Sequence, residues 1–277
     1  MAVSLNPYIS TFDEGFDAEK SSQYRMAIQF ALGGLSFALF DTTTHRVIGL
    51  ECYQTDDADS LETFQLLERA LDAKKLNHSD FHSVLCIFDN RLNTLVPSEL
   101  FDEAIMSNYL DFTSQIPENH TICADHLKSV SCHNVFAQHR TLKNKFLEKW
   151  SNAETIHSST VFIEGAMQTD TQGVFVNVRN RDFDMLIKKE GNLLFYNNFK
   201  FHTKEDFAYF LLFAMEQNHV SGLEVPVTFS GLILPASDIM ELCGRYVEDI
   251  RLVEETPDKM LDGVPFQYYY IHYQALR

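Results

Sequence analysis

Two stretches of the chain, 26–53 and 174–199, alternate apolar and polar positions with the same punctuation. In the first, MAIQFAL (26–32) has the period-two pattern of a strand. Gly33 and Gly34 supply a two-residue hairpin loop that tolerates positive φ, and LSFALF (35–40) returns beside it. A DTTTH turn leads into a third strand, RVIGLECY (46–53). The period then becomes helical: in DSLETFQLLERALDAKKL, Leu61, Phe64, Leu67 and Leu71 share one face, with Asp59 placed as N-cap and Glu62 three residues on. SVLCIF (83–88) follows, a short apolar run of the buried-strand kind.

The second stretch repeats that order. VFVNVR (174–179) is a strand, Asn180 and Arg181 a polar turn, DFDMLIKK (182–189) the return, Gly191-Asn192 a second turn and LLFYNNF (193–199) a third strand. Thr203 and Asp206 bracket a helix start, and Phe207, Phe210, Leu211, Ala214 and Met215 fall on its inner face. EVPVTFSGLIL (224–234) predicts a buried strand.

Equivalent points are separated by nearly constant offsets: 148 residues from Gln29 to Asn177, 144 from Asp59 to Thr203 and 143 from Val84 to Val227. Each unit is three antiparallel strands, a crossover helix and a strand able to pair parallel to the first. This duplicated β-β-β-α-β plan predicts an α/β protein with mixed sheets in two lobes, 1–158 and 159–277, and a cleft between them. STVFIEGAM (159–167) reads as the helix leading into the second lobe, and the aromatic tail FQYYYIHYQAL (266–276) as a final edge strand.

At 277 residues with 45% hydrophobic positions, the chain can fill two cores. Its formal net charge of −17 repels phosphate backbones and anionic lipid, which argues against nucleic acid as a partner. The basic run RTLKNKFLEK (140–149) reads as one solvated helical face. The first 20 residues lack a basic start and a long apolar block, so a cytoplasmic location is expected, and FAYFLLFAM (207–215) is too short to span a bilayer. Cys52, Cys86, Cys123, Cys132 and Cys243 form no C-x-x-C pair and read as free thiols.

The repeated unit resembles the actin-like ATPase fold, of ribonuclease H-like topology, found in actin, heat-shock chaperones, sugar kinases and bacterial division and pilus-assembly proteins. The resemblance runs from about residue 24 to the end, and the whole chain is similar to a Bacteroidetes family of unknown function with that fold. In active members each lobe opens with a strand carrying an Asp, followed by a Gly-containing hairpin. The two acids hold Mg²⁺ and orient the attacking water, while the hairpin amides cradle phosphate.

Carried onto this sequence, the first acid position holds Gln29 and the second Asn177. Amides keep the carbonyl oxygen but lose the charge and the capacity for base catalysis. The first hairpin keeps Gly33 and Gly34, the second has Asn180 and Arg181, and the adenosine-receiving turn survives as Ser230-Gly231. The resemblance therefore implies a vestigial nucleotide site at Gln29, Gly33, Gly34, Asn177, Asn180, Ser230 and Gly231. Its implied function is a catalytically degenerate scaffold that binds a protein partner or its own copy. The alternative is an ATPase or phosphotransferase using ATP and magnesium, with substitute acids drawn from Asp41, Asp89, Asp170, Asp182 and Asp184.

Two other constellations point nowhere. Cys123, His126, Cys132 and His133 are zinc-type ligands, but strand alternation sends Cys132 and His133 to opposite faces. Ser36 and Ser230 lie in no nucleophile signature.

Overall fold

The computed structural model describes residues 6–55, 60–112, 114–256 and 259–277. An edge strand, β1 (Ile9–Phe12), precedes the first meander, which folds as β2 (Tyr24–Ala31), β3 (Gly34–Asp41) and β4 (Arg46–Gln54). Then come α1 (Ser60–Ala73) and β5 (Ser83–Asp89), and β5 pairs parallel to β2. The N-cap expected at Asp59 lies outside the described residues. Next in the chain are β6 (Asn93–Pro97), α2 (Met106–Asp111), β7 (His120–Leu127) and β8 (Cys132–His139), whose strands form a separate three-stranded sheet, β6-β8-β7. The basic run is α3 (Arg140–Lys149), and β9 (Glu154–His157) rejoins the first sheet beside β5, giving the order β1-β4-β3-β2-β5-β9.

After α4 (Ser158–Gln168), the second meander is β10 (Gly173–Val178), β11 (Asp182–Lys189) and β12 (Asn192–Lys200). Its crossover helix is α5 (Lys204–Gln217), and β13 (Val227–Gly231) pairs parallel to β10. The helix start is the predicted capping box: the Thr203 hydroxyl accepts from the Asp206 N–H while the Asp206 carboxylate accepts from the Thr203 N–H. With α6 (Asp238–Cys243) and β14 (Ile250–Leu252), the second sheet has the order β12-β11-β10-β13-β14.

The tail is not a strand. Residues Phe266–Tyr269 form a 3₁₀ turn and Tyr270–Leu276 the helix α7. A half-buried strand needs every second residue wet, yet Tyr269 through Tyr273 are buried consecutively. A segment with no outward face fits a helix enclosed on several sides. That is its setting, for α4 and α7 lie between the two sheets and share one core with Ala27, Ala38 and Ile87 of the first and Phe175 and Leu186 of the second. The helices meet at Gly165, where a Cβ would come within 2.8 Å of the Tyr270 hydroxyl. The outer faces carry separate cores, one under α1 and α3 and one under α5 and α6.

Lys188 of β11 ties the second sheet to α4. It is buried, and its Nζ donates to the carbonyl of Met167 at 2.9 Å and to that of Thr169, at the carboxyl end of α4, where a cation suits the helix dipole. Burial pulls its pKa down. Among the described residues, no helix is long and apolar enough to cross a membrane.

Candidate functional site

The parallel pairs β2–β5 and β10–β13 end in a polar seam. Gln29, near the end of β2, donates from Nε2 to Asp89 Oδ2 at 2.8 Å, and the Ser158 hydroxyl donates to Asp89 Oδ1 at 2.7 Å. Asp89 closes β5 and is 4% exposed. From the second sheet, Arg179 follows directly after β10 and reaches the same carboxylate, its Nη1 3.3 Å from Asp89 Oδ1. The guanidinium also bonds Asp184 twice, at 2.5 and 3.1 Å, and Asp182 through Nε. One cation is thus shared by three carboxylates, two on β11 and one across the seam on β5.

The electrostatics follow from that geometry. Burial works against charge on Arg179, but Asp184, Asp89 and Asp182 together outweigh it and hold its pKa well above the ordinary arginine value. Burial raises the pKa of Asp184, opposed by Arg179. Asp184 also lies 3.1 Å from the Tyr196 hydroxyl, itself 2.6 Å from Ser159 Oγ. Asn93 Nδ2 donates to Tyr196 and to Asn134, and Asn134 donates to Thr160, so the polar chain continues into the three-stranded sheet. Thr160 and the His157 N–H both donate to Asp125 Oδ2, at 2.7 and 2.9 Å.

Two buried histidines flank Asp89. His157 caps α4 by accepting from the Ser159 N–H at 3.2 Å, and His272 of α7 places Nε2 3.0 Å from Ser36 Oγ. Their other ring nitrogens, His157 Nε2 and His272 Nδ1, are buried without a hydrogen-bond partner. Burial pushes His157 down to about 3, reinforced by Arg179 and opposed by Asp89, and pushes His272 down to about 4, again opposed by Asp89. Both imidazoles are neutral near pH 7.

The residues expected from the sequence fall into separate hydrogen-bonded groups. Gln29 belongs to the Asp89 cluster, whereas Asn177 accepts from Ser230 Oγ at 3.1 Å within the second sheet. Asn180 and Arg181 are exposed at their turn. Gly33 and Gly231 both have positive φ, +78° and +85°, but a Cβ on Gly33 would meet nothing within 4 Å while one on Gly231 would sit 2.1 Å from the Val178 carbonyl. Gly34 begins β3. Gly231→Ala is therefore expected to cost about 3 kcal/mol or more, and Gly33→Ala about 1 kcal/mol, in urea unfolding. Equal costs would contradict the close approach at Gly231.

Of the substitute acids, Asp89, Asp182 and Asp184 converge on Arg179, Asp41 accepts from Thr43 in its turn, and Asp170 is exposed. A magnesium–triphosphate does not fit this set, because the carboxylates that converge, Asp89, Asp182 and Asp184, are already bonded to a guanidinium. The four zinc-type residues do not converge: His126 and His133 are cross-strand partners with ring centroids 5.0 Å apart, but Cys132 pairs with Leu127 and Cys123 with Phe136. Sequence reasoning missed Arg179, Tyr196, His157 and His272. The available signal for the first was an arginine one residue past a buried strand, with acids three and five residues on.

Over residues 13–250 the chain matches a family described as a protein of unknown function, DUF3822. The chain belongs to this family. No curated protein matches it. Among solved structures, this DUF3822 chain is similar to a Bacteroides thetaiotaomicron protein with an actin-like ATPase fold and unknown function. That match has TM-score 0.76 and 20% identity, covering 86% of this chain and 93% of the other. It is also similar to a PilM–PilN type IV pilus biogenesis complex, with TM-score 0.60 and 10% identity over 91% and 94% of the two chains. The ethanolamine utilization protein EutJ from Carboxydothermus hydrogenoformans follows with TM-score 0.53 and 7% identity over 99% and 91%. The DUF3822 chain thus has the actin-like ATPase fold that its repeated meander implies.

Proposed function

We propose that this DUF3822 protein is a catalytically degenerate actin-like scaffold, with lobes of 1–158 and 159–277 held together by its own arginine, that works by binding a protein partner. The observation that carries the reading is the guanidinium of Arg179 bonded to Asp89, Asp182 and Asp184. In active relatives a metal ion and phosphate neutralise facing acids. Here a tethered cation does so permanently, and the two expected acids are the amides Gln29 and Asn177. A guanidinium has no open coordination position and cannot activate water as a metal does. The PilM–PilN likeness supports the partner-binding part of the reading, since that structure is itself a complex within pilus biogenesis.

The test is thermal and urea unfolding of the wild-type chain with ATP and Mg²⁺, paired with a phosphate-release assay. A ligand at 100 times its Kd stabilises by about 2.7 kcal/mol. The expected result is no stabilisation at millimolar MgATP and no multi-turnover phosphate release, also for Asn177→Asp. Either signal would return the protein to the nucleotide-using members of the fold.

A further inference from the structure

The outer layer of the second sheet carries an aromatic stripe that the fold does not use. On α5, Phe207, Ala208, Leu211, Ala214 and Met215 are buried against the sheet. The opposite side presents Tyr209 and Phe213, 60% and 44% exposed, with their rings stacked 5.7 Å apart and an interplanar angle of 12°. One turn on, Leu212, Met215, Glu216, His219 and Val220 line a shallow hollow, and Leu223 beyond it is 71% exposed. From Tyr209 to Glu216 the helical rise gives a track of roughly 10 Å, about two turns of a partner helix.

The rim of the track is acidic. Glu205 and Glu216 bracket the aromatic pair at helical spacing. Glu224 follows Leu223, and the Glu248 N–H bonds the Gly222 carbonyl beside the hollow. All four are exposed, and none is in an ion pair among the described residues. Two nearby cations are already committed, Lys204 to Asp238 and Arg245 to Glu241. A second copy of this chain would set these acids against their own kind on a molecule of net charge −17.

We infer that the α5 face is a docking site for a basic amphipathic helix of a partner protein, with its apolar anchors on Tyr209, Phe213 and the Leu212 hollow and its Lys or Arg residues against Glu205 and Glu216. The inference rests on the scaffold reading and gives that partner a chemistry. It uses a surface distinct from the Arg179 seam, so a nucleotide titration and a peptide titration report separately on the two readings.

The probe is a fluorescein-labelled helical peptide of Leu and Lys in amphipathic order, about three to four turns long, with a twin in which every Lys is Glu. Fluorescence anisotropy is expected to show binding of the basic peptide and none of the acidic twin. The exposed pair Tyr209→Ser with Phe213→Ser should weaken binding at least tenfold without moving the urea midpoint. Glu205→Gln with Glu216→Gln should weaken it at least threefold and flatten its salt dependence, while Asp111→Asn with Glu118→Gln, equal in charge but on another surface, should change nothing. Several results would overturn the site: no binding by the wild type, undiminished binding after loss of both rings, or an equal loss in the Asp111 and Glu118 control. A concentration-dependent dimer that dissolves on loss of both rings would assign the face to a second copy instead.

Discussion

Arg179→Ala is expected to destabilise the protein by about 3–5 kcal/mol near neutral pH, because it leaves Asp89 and Asp184 buried and uncompensated. Burial already raises the pKa of Asp184, and removing the guanidinium takes away the opposing influence, so the folded variant holds its proton to higher pH. An acid whose folded pKa is raised stabilises the fold below its unfolded pKa and loses that contribution as pH rises through the folded value. The deficit relative to wild type should therefore shrink as pH falls into the carboxylate range. Arg179→Ala combined with Asp184→Asn should recover part of the loss at neutral pH, since the second change removes a stranded charge. Urea unfolding at several pH values measures all of this. A deficit below about 1 kcal/mol at neutral pH would mean that the three carboxylates do not depend on Arg179.

Acid should unfold the wild-type chain early, through His157 and His272. Both have folded pKa values, about 3 and about 4, far below the unfolded value of about 6.5. A group depressed in this way contributes stability that is present above its unfolded pKa and lost as pH falls toward the folded one. Each histidine then removes about 1.4 kcal/mol per pH unit, so at pH 4.5 the pair has removed about 5 kcal/mol, comparable to the whole stability of many domains. His157→Asn keeps a side chain able to cap α4, and His272→Gln keeps a polar group toward Ser36. Each substitution should remove about half of the slope of unfolding free energy against pH between 6 and 4.5. An unchanged slope in the double variant would place the acid sensitivity elsewhere.

The fold was legible because its signals are local. Gly33-Gly34 and Gly191-Asn192 mark hairpins within a few residues of the strands they join, and Thr203 with Asp206 makes a capping box that needs no distant partner. The candidate site was legible only in outline, as acids absent at Gln29 and Asn177. The rest depends on contacts between distant elements, with Arg179 of the second meander meeting Asp89 of the first. No spacing rule encodes such a meeting. The tail misled for a related reason: Tyr-Tyr-Tyr-Ile-His-Tyr resembles a strand in composition, but its burial on several sides is set largely by β2, β3 and α4, all far from it in sequence. The three-stranded sheet between β5 and β9 stands outside the repeat, so the offsets that exposed the duplication were blind to it.

The position of α7 bears on how the protein is made. Arg25 at the start of β2 bonds the carbonyl of Leu276, 251 residues away, and α7 covers the inner face of strands that leave the ribosome well before it. At about 5–20 residues per second, those strands wait on the order of ten to fifty seconds for their cover. During synthesis the inner face of the first sheet therefore lacks α7, and the last helix to be made is the one that completes the core between the two sheets.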